Sequence, residues 1–121
     1  MANTFKVVTF AAEPASAGTP YVMYTVATST TTVVLGLVLS NINTTAVTAE
    51  VELVSTTSSR GGANNVANGT SFLIKDVNIP TGSSLEIFSG GKVVLEAGDK
   101  IQIDCSVADK LSGTLSIMEI T

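Results

Sequence analysis

Apolar residues recur at every second position in short runs rich in Val, Ile and Thr, and clusters of Gly, Pro, Asn and Ser separate the runs. No segment carries a sustained helical period. The pattern predicts strands at Thr4–Phe10, Tyr21–Thr28, Thr32–Asn41, Val47–Ser55, Ser71–Ile79, Ser84–Phe88, Lys92–Leu95, Lys100–Ser106 and Gly113–Ile120. Val47, Ala49, Val51 and Leu53 share one face, against Thr48, Glu50 and Glu52 on the other. Ile101, Ile103 and Cys105 likewise oppose Gln102, Asp104 and Ser106, and Val33, Leu35, Leu37 and Leu39 read as a third inward set. These faces predict an all-β fold: a two-sheet β-sandwich, immunoglobulin-like or jelly-roll, of about eight to nine strands.

Two strands are apolar on both faces. Val34 and Val38 lie opposite the third set, and Met118 and Ile120 do the same for the last strand, so these strands are either central or covered by another subunit. Between strands, "SNINTTAV" at Ser40–Val47 has Asn and Thr turn chemistry for a hairpin or a corner between sheets. "VVLEAGDKIQID" at Val93–Asp104 reads as a hairpin, with Gly98 at positive φ and Asp99 accepting a backbone N–H. "AAEPASAGTP" at Ala11–Pro20 is a Pro/Gly/Ser connection, so residues 1–20 are expected as an extended N-terminal strand and linker on a single domain spanning 1–121. A long Gly/Asn/Ser loop, Thr56–Gly69, carries one charge, Arg60.

Composition narrows the function. Of 121 residues, 45% are hydrophobic but only 5% aromatic, so the core must be built from Val, Leu, Ile and Ala. Charged residues make up 13%, about half the share usual in soluble domains. A net charge of -4 and the lack of Lys or Arg between Lys6 and Arg60 leave no basic stripe for nucleic acid. The N-terminus lacks a secretory-signal pattern and the longest strongly apolar run, Val33–Leu39, is too short to span a bilayer, so the chain is read as soluble, made in the cytoplasm and without a membrane partner.

Chemistry is sparse. The chain has no His, which removes the commonest general base and zinc ligand. Asp76, Asp99, Asp104 and Asp109 are isolated in sequence and form no calcium-loop pattern, so no metal or cofactor is expected. Cys105 reads as a small buried hydrophobe in a strand. Asn43-Thr44-Thr45 and Asn68-Gly69-Thr70 match the glycosylation acceptor pattern, by chance in a chain read as having no signal. Tyr21 and Tyr24 have opposite strand parity and cannot share a face without a bulge, which favours packing over a sugar-stacking platform. The chain is expected not to be an enzyme.

The remaining signal is association. The first half has few of the charges and prolines that normally guard strand edges, and a tethered N-terminal strand could add to a neighbour's sheet. Candidate partner contacts are Phe5, Val7, Phe10 and Tyr21 near the N-terminus and Arg60, Asn64 and Asn65 in the long loop.

The segments "MANTFK", "YTVATSTTTVVLGLVLSNINTTAVTAEVEL", "FLIKDVNIPTGSSLEIFSGGKVVLEAGDKIQID" and "GTLSIMEIT" together resemble a family of small virion structural proteins of tailed bacteriophages, especially cyanophage-like phages of aquatic bacteria. The resemblance covers most of the chain outside Ala11–Pro20 and Thr56–Gly69. It implies a non-enzymatic component of the virion, assembled in the host cytoplasm. Such a protein would form a homo-oligomer, trimer or dimer, and bind the major capsid or the neck and tail proteins as a cement or decoration protein. The alternative is a receptor- or glycan-binding module of a tail fibre, with Thr56–Gly69 as its contact surface.

Overall fold

In chain order the computed structural model has β1 (Asn3–Glu13), β2 (Tyr21–Thr25), β3 (Thr31–Asn41), β4 (Val47–Val54), β5 (Thr70–Ile79), β6 (Ser84–Glu86), β7 (Val93–Leu95), β8 (Lys100–Cys105) and β9 (Leu111–Ile120). It describes residues 2–55, 69–88 and 91–121. Each strand falls on a segment expected from alternation. The largest adjustments are Ala11–Glu13, gained by β1, and Val26–Thr28, lost by β2.

All pairings are antiparallel. One sheet runs β1-β9-β3-β6, with β7 also beside β3, and the other runs β2-β8-β4-β5. The chain changes sheet at every connection except β4 to β5 and β6 to β7, which is a jelly-roll path. β6 pairs with Val38–Ser40 and β7 with Thr32–Val34, so the two act as one interrupted edge strand along β3.

Two connections depend on this path. Ser40–Val47 is a corner between sheets, built on the buried side chain of Asn41. Its amide donates to the carbonyls of Thr45 and Ile79 (3.0 and 2.9 Å), and its Oδ1 accepts the Asn43 N–H at 2.7 Å. The expected hairpin at Val93–Asp104 is a second corner, because β7 lies beside β3 while β8 lies between β2 and β4. Leu95 and Ile101 are both fully buried, and each brings its side chain into the core from a different sheet. Gly98 does take φ 89°, and Asp99, only 2% exposed, accepts the Glu96 N–H at 3.0 Å. Val26 clasps the turn through Gly98 N–H to Val26 O and Val26 N–H to Asp99 O, both 3.0 Å.

Val47, Ala49 and Val51 of β4 and Ile101, Ile103 and Cys105 of β8 are buried, as their alternation predicts. β3 departs from expectation. Thr32 and Val34 point inward in its first half and Leu37 and Leu39 in its second, leaving Val33 and Leu35 half-buried. The cause is a register shift against β9 between Val34 and Gly36: one extra residue reverses the parity. A similar shift between Val22 and Tyr24 sets Tyr21 opposite Ile103 and Tyr24 opposite Ile101, so both tyrosines turn toward the core.

β1 lies along β9 over its whole length, and Phe10 fixes it there. Phe10 is paired with Gly113, and its ring occupies the space that a side chain at 113 would need. Gly113→Val should therefore cost about 2 kcal/mol in chemical denaturation. Combined with Phe10→Leu, it should cost clearly less than the sum of the two single losses. Additive losses would show that ring and glycine do not share that space.

Candidate interaction surface

Antiparallel register places side chains of one parity on one face. On the outer face of the β1-β9-β3 sheet, Phe5 lies opposite Met118, Met118 opposite Val33, and Val33 opposite Val94. This makes an unbroken apolar row across four strands. Phe5 is 72% exposed, Val94 56% and Val7, on the neighbouring row, 62%. Ile120 and Leu35 flank the row. Over Asn3–Thr9, Ser112–Ile120 and Thr31–Ser40 the charged residues are Lys6 and Glu119, and both share the inward parity. The face is uncharged over three adjacent strands, and Ser, Thr and Asn side chains such as Ser116 and Thr114 border its apolar row; an exposed apolar row without charge is typical of contact faces.

The sequence pointed to Phe5 and Val7, and they lie on this face. Phe10 is 7% exposed and serves the core; Tyr21 is half-buried against it in an edge-to-face contact with centroids 5.4 Å apart. Neither ring is presented to a partner, because the Gly113 gap and the β2 bulge draw both inward. Arg60, Asn64 and Asn65 lie outside the described residues. Val33 and Val94 were not anticipated, although the runs "TTVVLGLVL" and "KVVLEA", apolar at successive positions, carry the signal.

At one end of the sandwich a polar cluster ties the sheets together. The Tyr24 hydroxyl of β2 donates to Glu119 Oε2 of β9 at 2.6 Å and lies 2.8 Å from Thr32 Oγ1 of β3. Lys6 of β1 closes on Glu119 Oε1 at 2.7 Å. Burial, reinforced by the Glu119 hydrogen bond, pushes the Tyr24 phenol up to about 12. Hydrogen bonds from Lys6 and then Tyr24 hold the Glu119 carboxyl below its ordinary value.

Other carboxylates are tied into the fold. Asp104 Oδ1 accepts the N–H groups of Gly18 and Cys105 (3.2 and 2.8 Å), and Asp76 and Asp109 sit at positive φ. Asp76, Asp104 and Glu50 line a shallow depression of about 160 Å³ on the other sheet, where Glu50 pairs with Lys75 at 3.1 Å. Among the described residues no group of three or more Asp, Glu or Cys is placed to hold a metal ion. Cys105 is buried, and burial raises its thiol pKa, away from the reactive thiolate. No described helix is long and apolar enough to cross a membrane.

Tyr24→Phe leaves Thr32 and Glu119 short of a partner and should cost about 1–2 kcal/mol. Below pH 10.0 Tyr24 is protonated in folded and unfolded chains alike, and its contribution is whole. As pH rises from there to about 12 the unfolded chain ionises first and stability falls. Glu119 works in the opposite sense: its contribution is present above the ordinary value of 4.5 and is lost as pH falls through the lowered one. Denaturation across these ranges should show both slopes in the native chain and a weaker alkaline slope in Tyr24→Phe. An unchanged alkaline slope would remove Tyr24 as its source.

No family model matches the chain, and no curated protein matches it. Among solved structures, a chain from Bacillus endospore appendages, described as a novel family of disulfide-linked pili, aligns at a TM-score of 0.47 with 17% identity. The alignment covers 99% of this chain and 87% of that one. A likeness of that degree assigns neither family nor function.

Proposed function

We propose that this chain is a non-enzymatic structural subunit that assembles with copies of itself and stabilises a larger particle. The particle is a bacteriophage virion, on which the chain acts as a cement or decoration protein of the capsid or at the neck and tail. The uncharged apolar row Phe5–Met118–Val33–Val94 carries the assembly reading. The resemblance of "VVLGLVLSN", "FLIKDVNIPTGSSLEI" and "KVVLEAGDKI" to small phage virion proteins supports the particle.

The physical case rests on exposed apolar area. Burying Phe5, Val7 and Val94 is worth about 2 kcal/mol each, whereas association costs on the order of 4–15 kcal/mol in lost freedom. One apolar row is therefore only enough for a contact reinforced by others, as in an assembly where each subunit touches several neighbours. A cement protein works in this regime, because its contacts add up only on the assembled shell.

Val94→Glu places a charge in the row while Val93 and Leu95 keep their inward positions. It should leave thermal unfolding within a few degrees of the parent and weaken both self-association, read by light scattering, and binding to phage particles, read by co-sedimentation. A parent chain that stays monomeric at high micromolar concentration and does not bind particles would sink the proposal.

A further inference from the structure

The two sheets end in edge strands of unequal character. β2 is five residues long and bulged, β6 and β7 are three residues each, and β5 carries two register shifts, Asp76 at positive φ and the exposed Lys75. Short length, bulges and lysines are the usual means of stopping a strand edge from pairing with another chain. β1 is neither short nor bulged over Asn3–Phe10. Its register with β9 is unbroken there, it has no proline, and its one lysine is held by Glu119 at 2.7 Å. Among the described residues no strand lies beyond it.

Parity fixes which backbone groups this edge offers. Ala2 and Thr121 exchange both of their N–H···O bonds (3.0 and 2.9 Å), so on β1 the even residues Thr4, Lys6, Val8 and Phe10 bond to β9. The N–H and C=O groups of Asn3, Phe5, Val7 and Thr9 point to the open edge.

We propose that two copies of this chain pair antiparallel through their β1 edges about a two-fold axis at Val7, an inference that rests on the self-association argued above. In this register Val7 lies opposite its own copy and Phe5 opposite Thr9, giving about six N–H···O bonds. A shift to Lys6 opposite Lys6 would use all four open residues but would set like charges in the closest side-chain pair. The Val7 register instead places Val8 opposite Lys6. It also brings Phe5 and Val7 of both copies together on the outer face, so the two apolar rows meet in one surface. The interface is isologous, each copy giving what it receives.

Backbone amide exchange of the full chain, followed residue by residue over a concentration series, tests the pairing. The amides of Phe5, Val7 and Thr9 should gain protection in step with a doubling of mass, while those of Lys6 and Val8 are protected throughout. Val7→Pro removes a donor that points away from β9 and so breaks no bond within the chain. It should keep the cooperative unfolding of the parent and weaken the dimer by about tenfold or more. A dimer in which Phe5, Val7 and Thr9 exchange as fast as in the monomer would overturn the edge pairing and leave face-to-face association standing. A chain that is monomeric at every concentration would overturn both.

Discussion

One extra residue in β3 governs much of this sandwich. Side chains in a strand alternate strictly, so the register shift between Val34 and Gly36 hands the core from one parity to the other halfway along. Thr32 and Val34 face inward before it, and Leu37 and Leu39 after it. The interruption coincides with the break in the neighbouring edge, where β7 serves the first half of β3 and β6 the second. It also decides what lies outside. Without the shift Val33 would share the core face with Leu37 and Leu39; with it, Val33 becomes the central link between Met118 and Val94.

The strands were legible because their alternation is a local property of the sequence. So were the buried faces of β4 and β8, which run without interruption. Facing departs from alternation where a bulge intervenes: Val33 and Leu35, expected inward, are half-buried, and the bulge that Tyr21 and Tyr24 need in order to share a face is present in β2. Gly36 is the local mark of the β3 bulge, since an isolated glycine in a strand pattern points to one, but the bulge in β2 has no such mark. The Val93–Asp104 turn was misread for a related reason. Gly98 and Asp99 specify a tight turn, but nothing local says whether the strands it joins pair or separate into two sheets.

The candidate surface was half legible. Phe5 and Val7 stand out as exposed apolar residues in a segment with a single charge, and Met118 and Ile120 as the apolar second face of the last strand. The Tyr24–Glu119–Lys6 cluster was invisible, because Tyr24 and Glu119 are 95 positions apart. Strand parity points the only lysine of β1 inward, and the cluster holds its ammonium there. A lysine on an open edge strand ordinarily discourages pairing; here Glu119 holds it at 2.7 Å, and its remaining charge selects among registers rather than closing the edge.

Low charge, the apolar outer row and the open β1 edge are therefore connected. A chain with 13% charged residues has few with which to guard its edges, and this one places its guards on β5 and shortens or bulges the remaining edges. The edge left regular is the one adjoining the apolar row. In the proposed pairing the backbone supplies direction and register and the side chains of the row supply area, so neither contact would have to hold copies together alone. Because both lie on the same sheet, closing the edge enlarges the face rather than hiding it. In that pairing the enlarged face would stay free to meet a third surface, which is the contact that the proposed role on a larger particle requires.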